Sequence, residues 1–346
     1  MKAIVLHGAY DVRVESVPDA GLRDAHSAVV RISRASICGS DLHLYHAVVP
    51  IVPGTVIGHE CIGVVEEVGD KVQRFRRGDR VIVPGVIGCG ECEPCRLGYV
   101  VGCLQLFNKV YGVSPELPGA QAEAVTVPAA DANLWPAPAD LGDEQILFLT
   151  DILPTGYFAA ANASISPGET VAVIGCGPVG ISAIMCAQLH GPATVLAIDR
   201  VPERLESAKQ LGAVPINADA GDVRTAVLEA TGGVGAHAVI EAVGSVATVQ
   251  LAFDIARIGG VVSVVGVILD QDFPFPMGTA FMKDLTFRIG LVNVVEYIPP
   301  LLALVRSGRI DPIRLITHRM PLTEGRRAYE IFDKRQEGCL KVVLAP

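Results

Sequence analysis

The ten residues Val171-Ala172-Val173-Ile174-Gly175-Cys176-Gly177-Pro178-Val179-Gly180 constrain the fold more than any other stretch of the chain. A short apolar run runs into Gly-x-Gly-x-x-Gly, and a helix-length segment opens at Pro178. Gly175 permits a tight turn, Gly177 lets backbone approach a pyrophosphate, and Gly180 lets helix and strand pack closely. The start of the following helix would offer free amides and the positive end of its dipole to phosphates. Plain glycine-rich turns show the same six-residue pattern, so the surroundings must decide.

They read as alternating strands and helices. Thr170–Ile174 is an apolar strand, Pro178–His190 a helix, Thr194–Asp199 a strand and Pro202–Leu211 a helix, with further buried strands at Ala238–Ala242 and Gly260–Val265. Such alternation predicts parallel βαβ units in a doubly wound α/β sheet. Asp199 ends the second strand, where a carboxylate can accept hydrogen bonds from both hydroxyls of an adenosine ribose. It would repel a 2′-phosphate, which favours NAD over NADP; Arg200, next in the chain, acts in the opposite sense.

Before Pro154 the pattern differs. Ala3–Leu6, Ala28–Ala35, Gly63–Val68 and Arg80–Val83 are short β-branched runs bounded by turn pairs such as Gly69-Asp70 and Gly78-Asp79, an all-β, barrel-like signal. The tail carries a helix from about Pro300 to Ser307 and a last strand, Leu340–Leu344. A chain of 346 residues with 50% hydrophobic content exceeds what one core usually serves, so two domains packed around a cleft are expected.

The formal net charge of −9 disfavours nucleic acid and anionic membranes as partners and leaves a small molecule as the better expectation. The apolar run near Met1 is too short for a signal peptide, and no window is long enough to span a membrane, so the expected location is the cytoplasm. In that reducing compartment nine cysteines read as metal ligands, nucleophiles or small buried hydrophobes.

Four of them, Cys89, Cys92, Cys95 and Cys103, follow a CxxCxxC spacing with seven residues before the fourth. Four thiolates so close together can close a tetrahedral structural zinc site with no vacant position. A second, open site has candidates in Ile37-Cys38-Gly39-Ser40-Asp41-Leu42-His43 and Gly58-His59-Glu60. One thiolate, one imidazole and a carboxylate would leave zinc a free position. A buried cysteine and a core histidine account for these residues equally well.

Gly58-His59-Glu60-x-x-Gly63, followed by Gly69 and Val72, resembles the signature of the zinc-containing medium-chain alcohol dehydrogenases, and with the cysteine lobe and the glycine fingerprint the resemblance spans essentially the whole chain. Thr150-Asp151-Ile152-Leu153-Pro154-Thr155-Gly156-Tyr157 and Pro118-Gly119-Ala120-Gln121-Ala122-Glu123 look most like its formaldehyde-dehydrogenase-like branch. The resemblance implies a Rossmann domain, residues 155–290, inserted in a mostly β, GroES-like barrel catalytic domain made of residues 1–154, with its zinc lobe at 89–103, and residues 291–346. It implies two zinc ions per chain. Catalytic zinc would be held by Cys38, His59 and Asp151, with Glu60 beside the metal and able to exchange with a bound water. Ser40 would receive an alcohol proton and pass it through a nicotinamide ribose hydroxyl to His43.

Cofactor contacts are expected at Gly175, Gly177, Pro178, Val179, Gly180, Asp199, Arg200 and Arg204, and on the nicotinamide side at Val243, Gly244, Val265, Gly266 and Val267. The substrate would be an alcohol, aldehyde or ketone. Homodimers or homotetramers would pair through an edge strand at Leu285–Gly290. The resemblance leaves two other readings open, an aldehyde dismutase that retains NAD and a relative that has lost its chemistry. Departures from the family pattern are Gly85, where an aromatic often lines the pocket, so that a wider pocket is expected; Ala124, where a tyrosine is common; and the lack of inserted segments that accompany retained NAD. Leu44, Tyr45, Phe107 and Trp135 are candidates for either pocket lining or packing.

Overall fold

In the computed structural model, which describes residues 1–106, 110–113, 116–269 and 272–346, the Thr170–Ile174 run is the third strand of a six-stranded sheet. Its strand order is Val214–Asn217, Thr194–Asp199, Thr170–Ile174, Ala236–Glu241, Ala256–Val264 and Thr286–Ile289, and every pairing is parallel. The direction of winding reverses between Thr170–Ile174 and Ala236–Glu241, so a crevice opens beyond their carboxyl ends. The central strands are apolar on both faces because helices cover both sides. One face packs Ile174, Leu196, Val239 and Val262 against Val249, Ala252 and Phe253 of helix Val246–Ile255.

The rest of the chain builds a different architecture. A seven-stranded, mostly antiparallel sheet carries the order His318–Pro321, Val342–Ala345, Ala28–Ser36, Glu60–Val68, Arg80–Val83, Trp135–Pro136, with Ala124–Val127 added on Ala28–Ser36. A three-stranded sheet joins Asp11–Ser16, Lys2–Gly8 and Thr55–Val56. Ile4, Val30, Ile37, Val65, Val83, Tyr329 and Leu344 share one core between these layers, and the C-terminal helix Gly325–Lys334 closes it.

Two compact units result: Met1–Pro154 with Asn293–Pro346, and Thr155–Val292. The second crossing lies two residues past Gly290, because the chain leaves the edge strand Thr286–Ile289 through irregular residues before a helix starts at Val294. That helix, Val294–Arg306, begins six residues earlier than the Pro300 start expected from the sequence. Pro299 and Pro300 lie inside it. Each interior proline costs about 3 kcal/mol. Burial of Val294, Ile298, Leu301, Leu302 and Val305, at about 1.5–3 kcal/mol each, outweighs that cost. No helix among the described residues is long and apolar enough to cross a membrane.

Candidate functional site

Strands Ala28–Ser36 and Glu60–Val68 are antiparallel neighbours, with Ser36 opposite Glu60. Cys38 follows the end of the first strand and His59 precedes the start of the second, so pairing the two strands brings thiol and imidazole together. Asp151 comes from another direction, between the turn Leu147–Thr150 and the helix Ile152–Asn162. Its Oδ2 lies 3.4 Å from Cys38 Sγ and 3.3 Å from His59 Nε2. Donor atoms of Cys38, His59, Glu60 and Asp151 all lie within 4.8 Å of one another. Around a tetrahedral zinc, ligand–ligand spacings of about 3.4–3.6 Å follow from the usual bond lengths, so the set fits.

Electrostatics favour a cation at the centre of this set. Burial, then the charges of Glu60 and Asp151, push the Cys38 thiol above its ordinary pKa. Burial works against charge on His59, but the Asp41 carboxylate and the hydrogen bonds of Asp151 outweigh it and raise its pKa well above the usual value. Burial also opposes ionisation of Asp151, yet His59 and Lys341 hold its pKa low. Asp41 Oδ1 lies 3.1 Å from His59 Nδ1 in a buried ion-pair contact, and neither atom has a hydrogen-bond partner among the described residues. A carboxylate behind Nδ1 leaves Nε2 as the atom offered to a metal.

Ser40 Oγ is 3.4 Å from Cys38 Sγ and 3.3 Å from His59 Nε2, at the rim of the donors. His43, half-buried on the short helix Asp41–Tyr45, has its pKa lowered by burial and by His46. Its ring is not hydrogen-bonded directly to Ser40 among the described residues. Glu60 is fully buried and meets Lys341 Nζ at 2.7 and 2.9 Å, with Ser36 Oγ as a further donor.

The four lobe cysteines also converge. Cys89 and Cys95 sulfurs are 4.0 Å apart, as are those of Cys92 and Cys103, against about 3.8 Å for the edge of a tetrahedron with zinc–sulfur bonds near 2.3 Å. Backbone amides feed the sulfurs: Cys89 N and Leu106 N donate to Cys103, Glu91 N and Cys92 N to Cys89, and Leu104 N to Cys92. Amides at Cys95 and Leu104 bring Cys92 down to about 6, whereas burial pushes Cys95 up to about 12. Burial works upward on Cys103 too, but the amides of Cys89 and Leu106 prevail and lower it. Such N–H···S donors stabilise thiolates gathered around one ion.

In the parallel-sheet unit the fingerprint forms the turn between Thr170–Ile174 and helix Pro178–Gln188. Gly175 has φ +87°, and a Cβ on Gly180 would stand 1.7 Å from the Gly175 carbonyl, so neither position accepts a side chain. Pro178 and Val179 open the helix, and the Arg204 guanidinium lies beside Gly177. Asp199 Oδ2 accepts from Cys176 N at 2.6 Å, while Oδ1 accepts from Arg200 N and Val201 N. Three of the roughly four acceptor positions of the carboxylate are therefore used by backbone. Arg200 turns to Asp219, Nε to Oδ1 3.3 Å. Val243 N and Gly244 N donate to the Glu241 carboxylate, and Val265 N and Gly266 N to its carbonyl, which ties the two loops together. Val243 and Val267 are half-exposed there.

The comparisons with known proteins agree with this geometry. Residues 24–139 match the alcohol dehydrogenase GroES-like domain and residues 178–307 the zinc-binding dehydrogenase family. A probable zinc-binding alcohol dehydrogenase of Mycobacterium tuberculosis is 41% identical, over all of this chain and 89% of its own length. The chain belongs to the zinc-containing medium-chain alcohol dehydrogenases. Among solved members, the alcohol dehydrogenase TADH from Thermus sp. ATN1 is 46% identical with a TM-score of 0.92, covering 100% of this chain and 99% of its own. The apo form of zinc dependent alcohol dehydrogenase 2 from Streptococcus pneumonia is 35% identical with a TM-score of 0.91, covering 100% and 98%. Family membership makes the chain an oxidoreductase fold with a Rossmann sheet and a GroES-like barrel.

Some expectations change. Leu44 and Tyr45 are 5% and 4% exposed and belong to the barrel core, so packing, not pocket lining, describes them. Trp135 pairs with Ile82 in the sheet, and Phe107 lies outside the described residues. Gly85 lies against the His59 backbone, where a Cβ would sit 2.8 Å from the carbonyl oxygen. Asp41, Gln121, Tyr329 and Lys341 escaped the sequence reading. A signal existed for Lys341, a lone charge in the apolar run Leu340–Leu344, since lysine is rarely buried without a partner.

Proposed function

We propose that the chain is a zinc-dependent, NAD-linked alcohol dehydrogenase that interconverts small alcohols with their aldehydes or ketones. The observation that carries this reading is the meeting of Cys38, His59, Glu60 and Asp151 donors within 4.8 Å of one another. Zinc held by Cys38, His59 and Asp151 would supply Lewis acidity toward the substrate oxygen. NAD would accept the hydride. Ser40 Oγ, at the rim of the donors, would take the substrate hydroxyl proton, and His43, whose pKa burial lowers, would stand at the end of the relay and deliver it towards solvent. Glu60 stays beside the metal. Cys89, Cys92, Cys95 and Cys103 hold a second, structural zinc.

Gly175, Gly177, Pro178, Val179 and Gly180 receive the pyrophosphate, with Arg204 alongside. Val243, Gly244, Val265, Gly266 and Val267 flank the nicotinamide. The stretches around Gln121 and Asp151 support the formaldehyde-dehydrogenase-like branch, with NAD that exchanges rather than stays. Turnover of primary, secondary and aromatic alcohols with NAD or NADP, followed at the reduced-nicotinamide absorbance, tests the reading. Zinc-replete protein that reduced neither cofactor with any alcohol would overturn it.

Asp199 supports NAD over NADP, and the pairing of Arg200 with Asp219 removes the nearest neutralising charge from the 2′ position. In Asp199→Ala, loss of the charge-assisted bond that its remaining acceptor position can make to the ribose should weaken NAD about tenfold, and NAD-over-NADP preference should shrink by at least as much. An unchanged preference would mean that the adenosine is read elsewhere.

A cytoplasmic homodimer or homotetramer completes the proposal. The edge strand Thr286–Ile289, with Ile289 and Leu291 about half-exposed, supports pairing of two copies there. Sedimentation as a monomer at micromolar concentration would remove it.

A further inference from the structure

Behind His59 a line of buried polar side chains runs to the C-terminal helix. Asp41, 1% exposed, faces His59 Nδ1 with one oxygen. Its other oxygen, Oδ2, accepts from Cys38 N at 2.9 Å and from Gln121 Nε2 at 3.0 Å. Gln121 is fully buried, and its Nε2 also donates to the Ser36 carbonyl at 3.1 Å. Gln121 Oε1 accepts from the hydroxyl of Tyr329, itself fully buried, at 2.8 Å. Four elements distant in sequence thus contribute one continuous array.

The chemistry of the partners sets its direction. The Ser36 carbonyl and the Asp41 carboxylate only accept, so the amide nitrogen of Gln121 must face both, and its oxygen must face Tyr329. That orientation makes the Tyr329 hydroxyl a donor. Asp41, supplied with two N–H groups at Oδ2, then has Oδ1 left for the proton of His59 Nδ1. The donors converge on Asp41, Gln121 Nε2 on its Oδ2 and the His59 Nδ1 side on its Oδ1, which leaves the Nε2 lone pair directed at Cys38 and Asp151.

We propose that Tyr329 and Gln121 are positioning residues for the metal: through Asp41 they fix the tautomer and ring orientation in which His59 presents Nε2. The inference rests on the zinc reading above. It also gives the C-terminal helix Gly325–Lys334 a part in metal retention, although it contributes no ligand. The buried setting makes the array matter, since a polar group left unpaired there keeps its full desolvation cost. A purely packing role would need only the ring of Tyr329, which lies tilted against Tyr45 with ring centres 5.2 Å apart.

Tyr329→Phe keeps that ring and removes one hydroxyl; Gln121→Met keeps the volume and removes both links. Zinc release from the full-length protein to a chelating dye is the readout, with elemental analysis of each starting protein. Unaltered protein should hold two zinc ions, one lost slowly from each site. In Tyr329→Phe one of the two should leave about three- to tenfold faster, and in Gln121→Met about tenfold or more, with the other unchanged. The visible absorption of cobalt at the faster site should shift in both variants, and the thermal midpoint serves as the folding control. Two zinc ions released at unaltered rates from either folded variant would overturn the proposal. A single zinc ion in the unaltered protein would instead overturn the zinc reading on which it rests. Should Tyr329→Phe not fold, Gln121→Met alone decides by the same release rates, because the backbone of Gln121 keeps its bonds to Ile57 and Ile4.

Discussion

Cys38→Ser should lower turnover by two or more orders of magnitude while leaving NAD affinity within about twofold. Cys38 is 4% exposed, and its sulfur faces Asp151 Oδ2 at 3.4 Å. A serine hydroxyl is a hard, weakly acidic replacement for a thiolate, so zinc content should fall by about one ion per chain relative to the unaltered protein. The fingerprint from Gly175 to Gly180 belongs to the other compact unit, which gives the cofactor measurement its independence. Stopped turnover with intact NAD binding, measured by nicotinamide fluorescence, is the expected pair of results. Retained turnover would remove Cys38 from the metal site, and loss of cofactor binding together with turnover would point to a structural role.

Lys341→Met should destabilise the barrel unit by about 3–5 kcal/mol. Lys341 and Glu60 are both fully buried, 2.7 Å apart, and the ammonium lies 5.6 Å from the centre of the Phe148 ring. Methionine fills similar volume but leaves a carboxylate in a low-dielectric setting with Ser36 as its remaining hydrogen-bond donor among those described. Breaking one half of a buried pair costs far more than the pair's net worth, because the orphaned charge cannot recover its hydration. The double variant Lys341→Met with Glu60→Gln should recover much of the lost stability. Thermal unfolding of the zinc-loaded protein measures both. A single variant within about 1 kcal/mol of the parent would show that water reaches Glu60, and that the pair is not sealed as its burial indicates.

These two residues also mark how far linear reading reaches. Cys89, Cys92, Cys95 and Cys103 sit within fifteen residues, and Gly175, Gly177 and Gly180 within six, so each set carries its geometry in its spacing. Local chain stiffness does the assembly there, and the alternation of strands and helices after Pro154 follows from periodicities that each segment displays alone. Cys38, His59 and Asp151 are different. Their spacing alone does not group them; the family resemblance does, and in the fold the pairing of strands Ala28–Ser36 and Glu60–Val68 and the turn at Asp151 bring their donor atoms together.

Residues farther behind the donors left still less trace. Asp41, Gln121, Tyr329 and Lys341 come from separate elements, and none is adjacent in sequence to all the groups it serves. Their importance comes from burial, which makes each polar atom demand a partner, and burial is a property of the assembled core rather than of any short segment. Pattern and spacing were enough to fix the architecture, the fingerprint and the cysteine lobe. Which charged and polar side chains would be sealed away from water, and therefore bound to one another around His59 and Glu60, was decided only when distant strands and the C-terminal helix closed over them.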